Sequence, residues 1–115
     1  MVQAIRAIWH SWDTGEKLDF QGEFYQHTLM TPMFNPGPNA FGTPPVMLGA
    51  LGPKMTEVAG EVADGLIVHP FNSRPFIERH ALPAVHRGLE KAQRHRDDFI
   101  LQINAIVITG EDDAA

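Results

Sequence analysis

From Val2 onward, the apolar residues Ile5, Ile8, Trp9 and Trp12 recur at the spacing that lines one side of a helix, and Gly15 follows as a stop. The pattern predicts a helix with one face that needs a core. Beyond it, Leu18-Asp19-Phe20 and Glu23-Phe24-Tyr25 flank Gln21-Gly22. A glycine able to take positive φ there predicts a short two-stranded excursion, extended by His27 to Met30. Pro32, Pro36, Gly37, Pro38, Gly42, Pro44 and Pro45 then interrupt every regular pattern, so Thr31 to Pro45 reads as a long surface connection.

At Val46 the pattern changes. Val46 to Ala50 is apolar throughout, and helical periodicity follows from about Pro53 to Ala63. Met55, Val58, Ala59 and Val62 share one face of that helix, and Glu57 and Glu61 lie on the opposite face, which reads as solvated rather than as a pair of catalytic carboxylates. Asp64-Gly65 ends the helix, with Gly65 suited to a left-handed cap, and Leu66-Ile67-Val68 forms a second apolar run that stops at His69-Pro70. A helical region from about Arg74 to Arg94 must kink or restart at Pro83, whose ring blocks the preceding turn. Phe99 to Thr109 reads as the last strand, with Gln102 and Asn104 on one face and Leu101, Ile103, Ala105 and Val107 on the other, before a polar tail from Gly110 to Ala115. Strand, helix, strand, helix, strand with nearly continuous apolar strands is the order of right-handed βαβ units, an α/β arrangement in which helices cover a parallel sheet. Three such strands leave two unpaired edges, so the chain reads as part of a larger sheet or as one that forms a homo-oligomer through those edges.

Composition narrows the partners. A chain of 115 residues makes at most one domain with a single core. It has no cysteine, which removes disulfides and thiolate chemistry and is compatible with a cytoplasmic location. A net charge of -5 with scattered Lys and Arg gives no footprint for nucleic acid and favours a small-molecule partner. No apolar run approaches the ~20 residues that span a bilayer, and no basic stretch with an apolar region behind it opens the chain, so no membrane or secretory role is expected. His10, His27, His69, His80, His86 and His95 show no tight ligand spacing, so no metal is expected. Neither a G-x-S-x-G elbow nor a Walker loop is present, which sets aside the corresponding hydrolase and nucleotide-triphosphatase classes.

The run Pro45-Val46-Met47-Leu48-Gly49-Ala50-Leu51-Gly52-Pro53-Lys54-Met55 carries an apolar strand through glycines and a proline into a helix start. Pro53 suits the first helical turn, Gly52 permits close approach, and the N–H groups near Lys54 and Met55 sit at the positive end of the helix dipole beside the Lys54 ammonium. Such a junction suits a phosphate; it also serves as a strand-to-helix loop with no ligand. His69, at a strand end, is suited either to polar chemistry on a substrate oxygen or to a structural hydrogen bond. Asn72 and Ser73 are open to a site role or to capping the next helix. Trp9 and Trp12 are open to stacking on a ring or to anchoring a core.

Ala7-Ile8-Trp9, the run Leu18 to Tyr25, Gly52-Pro53-Lys54-Met55 and Ala63-Asp64-Gly65 together resemble the luciferase-like monooxygenase superfamily, especially members that use a deazaflavin, coenzyme F(420). The resemblance implies that residues 1–115 are an internal part of a TIM (β/α)8 barrel, about strands five to seven, with an inserted helix, hairpin and proline-rich loop over 1–44 and a βαβαβ segment over 45–110. It implies a fragment of an oxidoreductase that moves a hydride to or from a small organic substrate, with an FMN-dependent monooxygenase as the close variant. Leu51, Gly52, Lys54 and Met55 match positions that contact the coenzyme phosphate in the family, and His69 and Asn72 fall near the substrate. The first strands, which hold the ring in family members, have no counterpart, so no catalytic residue is assigned. A partial barrel that only binds a phosphorylated ligand or self-associates is the reading from a different class.

Overall fold

A computed structural model describes residues 1–107 and 109–110 of the chain. It divides into two compact units, Met1–Pro44 and Pro45–Ala115.

In the first unit, α1 (Val2–Thr14) closes on Gly15, whose φ of 74° places its N–H on the Ser11 carbonyl at 3.0 Å. The stripe Ile5, Ile8, Trp9 and Trp12 is only half-buried, and the fully buried residues of α1 are Val2, Ala4 and Ser11. The indole N–H of Trp12 donates to Met30 Sδ at 3.3 Å. Strands β1 (Phe20–Gln21) and β2 (Gln26–His27) pair antiparallel, Phe20 opposite His27. The second strand therefore starts three residues later than Glu23, because residues 22–25 form the turn. Gly22 does not take positive φ. Its lack of a side chain serves close packing instead: a Cβ there would lie 2.8 Å from the Phe20 ring and 3.0 Å from the Tyr25 carbonyl, which accepts the Gly22 N–H. The proline-rich segment holds one 3-10 turn, Pro32–Phe34, and is otherwise irregular. Asparagines organise it: Asn35 Oδ1 accepts from the N–H of Gly37, and Asn39 accepts from the N–H of Phe41 and donates to the Gly42 carbonyl.

In the second unit, β3 (Met47–Ala50), β4 (Gly65–Val68) and β5 (Ile100–Ile103) form a parallel sheet in the order β3-β4-β5, with Leu48 opposite Leu66 and Leu66 opposite Leu101. Helices α2 (Pro53–Val62) and α4 (Leu82–Lys91) pack on it, and Ala59, Leu66, Val68, Val85, Leu89 and Phe99 form the core. Asp64 ties the three strand starts together. Its N–H donates to the Val46 carbonyl, its Oδ2 accepts the Val46 N–H at 2.7 Å, and its carbonyl accepts the Ile100 N–H at 2.9 Å. Gly65 is not a left-handed cap; it is the first residue of β4, and α2 is capped by Ala63 in extended conformation. A side chain at Gly65 would meet the Ile100 carbonyl and the Met47 thioether, each 2.5 Å from the added Cβ.

The seam between α2 and α4 is not the apolar stripe. A Cβ at Gly60 would stand 2.5 Å from the Val85 carbonyl, and one at Gly88 would overlap the Glu57 carbonyl, so the two backbones touch across these glycines. This rotation buries Glu57 and leaves Met55 and Val58 exposed, at 52% and 40%. Arg94 closes the end of α2 by donating to the carbonyls of Gly60 and Ala63. Upstream of α4, α3 (Arg74–Phe76) runs into a π turn over Ile77–Ala81, and α4 restarts with Pro83 in its first turn. Pro83 has no N–H to return to the Arg79 carbonyl, and the widened turn closes instead from the Leu82 N–H to the Ile77 carbonyl. Strand β5 ends at Ile103, short of Thr109, and residues 104–107 are irregular. β5 pairs with β4 alone, and β4 itself ends at Val68, opposite Ile103. Of the expected polar tail, Gly110 is described and residues 111–115 lie outside the described residues.

Candidate cofactor and substrate site

Between β3 and α2 the chain turns through Leu51 and Gly52, which brings the start of α2 to the C-terminal end of the sheet. Gly52 is the helix N-cap in extended conformation (φ -78°, ψ 153°), so its value is not backbone freedom. A Cβ at Gly52 or Gly49 would meet nothing within 4 Å, and this surface of the turn is open. Pro53 occupies the first turn, where its missing N–H costs nothing. The first intrahelical bond runs from the Thr56 N–H to the Gly52 carbonyl, at 3.0 Å, which leaves the N–H groups of Lys54 and Met55 ahead of it. Thr56 Oγ1 also donates to the Gly52 carbonyl, at 2.9 Å, and fixes the turn. Sequence reasoning passed over Thr56; a hydroxyl four residues after the N-cap glycine was the available signal. Leu51, Gly52, Lys54 and Met55 are all exposed.

His69 follows β4, one strand over. Its Nδ1 accepts the Phe71 N–H at 3.2 Å, which puts the proton of a neutral ring on Nε2, and the ring tilts against Phe71 with centroids 5.7 Å apart. Asn72 clasps the same turn, its amide donating to the carbonyls of His69 and Pro70. Ser73, not Asn72, is the helix cap: its Oγ accepts the Phe76 N–H at 3.4 Å. A cavity of ≈ 350 Å³ at the strand ends is lined by Gly49, Ala50, Leu51, Ile67, Val68, His69 and Pro70, which brings Leu51 and His69 together. Asn72 lines not this cavity but an adjoining open groove of ≈ 780 Å³, which shares Pro70 with it and is otherwise formed by residues that include Phe71, Phe76 and 103–106. Lys54 and Met55 line neither.

Charge near the turn is organised by Glu57. Lys91 Nζ lies 2.6 Å from its Oε1 and Arg87 Nε 3.3 Å from its Oε2, and Lys91 also reaches Glu61 at 3.9 Å. The Lys91 hydrogen bond, then that of Arg87, holds the Glu57 carboxyl below its ordinary value, with the more distant charge of Lys54 adding to the effect. Glu57 in turn raises Lys91. Glu57 is thus an occupied structural carboxylate, and Arg87 and Lys91, one helical turn apart around Gly88, were the sequence signal for it. Among the described residues, no group of His, Asp and Glu is placed to hold a metal ion, and no helix is long and apolar enough to cross a membrane.

The family model for luciferase-like monooxygenases matches residues 1–115. An uncharacterized protein of Mycobacterium tuberculosis is 47% identical over 113 residues, 98% of this chain and 33% of that protein. An F(420)-dependent glucose-6-phosphate dehydrogenase of Nakamurella multipartita is 34% identical over 98 residues, 85% of this chain and 26% of the dehydrogenase. The chain spans about a third or less of the length of these relatives. Among solved structures, the coenzyme F(420) dependent tetrahydromethanopterin reductase of Methanopyrus kandleri superposes with a TM-score of 0.60 at 22% identity, over 87% of this chain and 28% of the reductase. That protein is a TIM barrel, and the βαβαβ segment described above is a portion of such a fold.

Proposed function

The chain belongs to the luciferase-like monooxygenase family, and from that premise we propose that it is part of a deazaflavin-dependent oxidoreductase, moving a hydride between coenzyme F(420) and a small organic substrate. The observation that carries this reading is the open, donor-rich turn at the end of β3 beside His69 at the end of β4, on the side of the sheet where barrel enzymes bind their ligands. The turn fits the phosphate of such a coenzyme: two backbone N–H groups at the start of α2, an exposed ammonium, and no Cβ over Gly52. Leu51, Gly52, Lys54 and Met55 would hold that phosphate, His69 would face the substrate with a donor Nε2, and Asn72 would hold the turn that carries His69 and reach a substrate only from the neighbouring groove. The bound deazaflavin supplies the hydride chemistry; the part of this chain is placement. The name of the dehydrogenase relatives makes glucose 6-phosphate the first substrate to try.

A fluorescence titration of the purified chain with coenzyme F(420), with FMN as competitor and gel filtration of the same sample, tests the reading. Saturable binding that equimolar FMN does not displace supports it. No binding by a monodisperse chain means that holding the coenzyme requires barrel strands outside this segment, and displacement by FMN moves the assignment to a flavin-dependent monooxygenase.

A further inference from the structure

The first unit contains a cavity of ≈ 380 Å³ that the proposed oxidoreductase site does not use. One wall is the face of α1 that carries Trp9, Trp12 and Asp13, and the rest is the proline-rich segment between Pro36 and Pro44. Three observations fix the chemistry of what it can hold. Both tryptophans of the chain line it, each half-buried, and an indole ring carries the electron-rich π system that attracts cations most strongly. Asp13 is the single charged residue of the lining and forms no ion pair among the described residues. Its carboxylate is held in place from the loop side: Oδ1 accepts the Asn39 N–H and Oδ2 the Thr43 hydroxyl, each at 3.2 Å, while the oxygens keep further lone pairs. The loop is itself shaped for this contact by the Asn39 turn and by Gly37 and Gly42 at φ of 79° and 82°.

From this combination we infer that the cavity is a binding site for a small organic cation of the quaternary ammonium class, with the indoles against its methyl groups and Asp13 balancing its charge. Proline rings supply the remaining apolar wall and bring no competing cation. The volume is at the small end of ligand pockets and suits a head group rather than a macromolecular segment.

The two tryptophans make the test direct, because every tryptophan of the chain lines this cavity and selective excitation of tryptophan leaves out Tyr25. Choline and its uncharged isostere 3,3-dimethylbutan-1-ol are titrated against the chain while tryptophan emission is followed. A saturable change with choline, at an apparent Kd about tenfold or more below that of the alcohol, is the expected result. Asp13→Asn keeps an oxygen for the Asn39 N–H and should bring the two probes to similar affinity. Equal responses to choline and the alcohol, or no saturable response to choline, would overturn the inference. That contrast is read in the unmodified chain, so it stands even where Asp13→Asn loosens the loop. Coenzyme binding at the β3 turn is a separate signal, and its failure leaves this result untouched.

Discussion

Glu57 accepts from Lys91 and Arg87 inside a helix seam, and the two ends of that arrangement respond to pH in opposite directions. The carboxyl is held below its ordinary 4.5, so its contribution to stability is complete above that value and drains away as pH falls through the depressed one. Lys91 is raised above its ordinary 10.5, so its contribution is complete below that value and is lost as pH rises beyond it. Urea midpoints measured across pH should therefore fall more steeply below 4.5 for the parent chain than for Glu57→Gln. Parallel acid limbs would show that the pair does not form. Gly88 faces the Glu57 carbonyl with no room for a methyl group, and Gly88→Ala should cost about 1–3 kcal/mol or more in the same assay. At the proposed phosphate turn, Lys54→Ala should weaken coenzyme binding roughly tenfold with little change in urea midpoint, since its ammonium forms no ion pair among the described residues and acts on Glu57 only as the most distant of its charges. Glu57 is misplaced when its own helix is read alone, because a helical wheel assigns carboxylates to solvent; the signal that reverses the assignment lies in the helix across the seam, with its paired cations and glycine.

Strands and helices of the second unit were readable because their periods differ sharply. Val46 to Ala50 and Leu66 to Val68 are apolar runs too short for helices, and they stand where β3 and β4 form. The stop at Gly15 and the restart at Pro83 also followed from local backbone chemistry. What local chemistry did not carry was the face of α2, set by backbone contact at Gly60 and Gly88, and the length of β5, set by pairing on one side only. The site divides the same way. A donor-rich helix start was visible in Gly52-Pro53-Lys54-Met55, whereas the meeting of Leu51 with His69 depends on the pairing of β3 with β4. Asp64 belongs to this scale, because one side chain holds the first residue ahead of β3. Removing it in Asp64→Ala should cost about 1.5–3 kcal/mol, the range for a hydrogen bond to a charged group, with faster amide exchange at Val46 as the local readout.

Across the whole molecule, β3 and β5 each present one edge that no described strand covers, and Ile100, Ile103 and Ile106 are exposed beside the latter. Gel filtration of the isolated chain should accordingly show association that grows with concentration, and Ile103→Lys should shift its onset to higher concentration; an elution volume independent of concentration in both would remove the edges as an association surface. The chain aligns with about a third or less of its relatives, and the TIM-barrel likeness accounts for why a sheet of three parallel strands carries open sides. Within that sheet, Asp64 bonds to residue 46 on one flank and residue 100 on the other, all at the N-terminal ends of the strands. Alignment is thereby decided at the end remote from the turns proposed to hold ligand. Changes at residues 51–52 and 69–73 would then alter what the proposed site accepts without renegotiating which strand residue faces which, a separation of duties that leaves the loops free to vary while the sheet keeps its register.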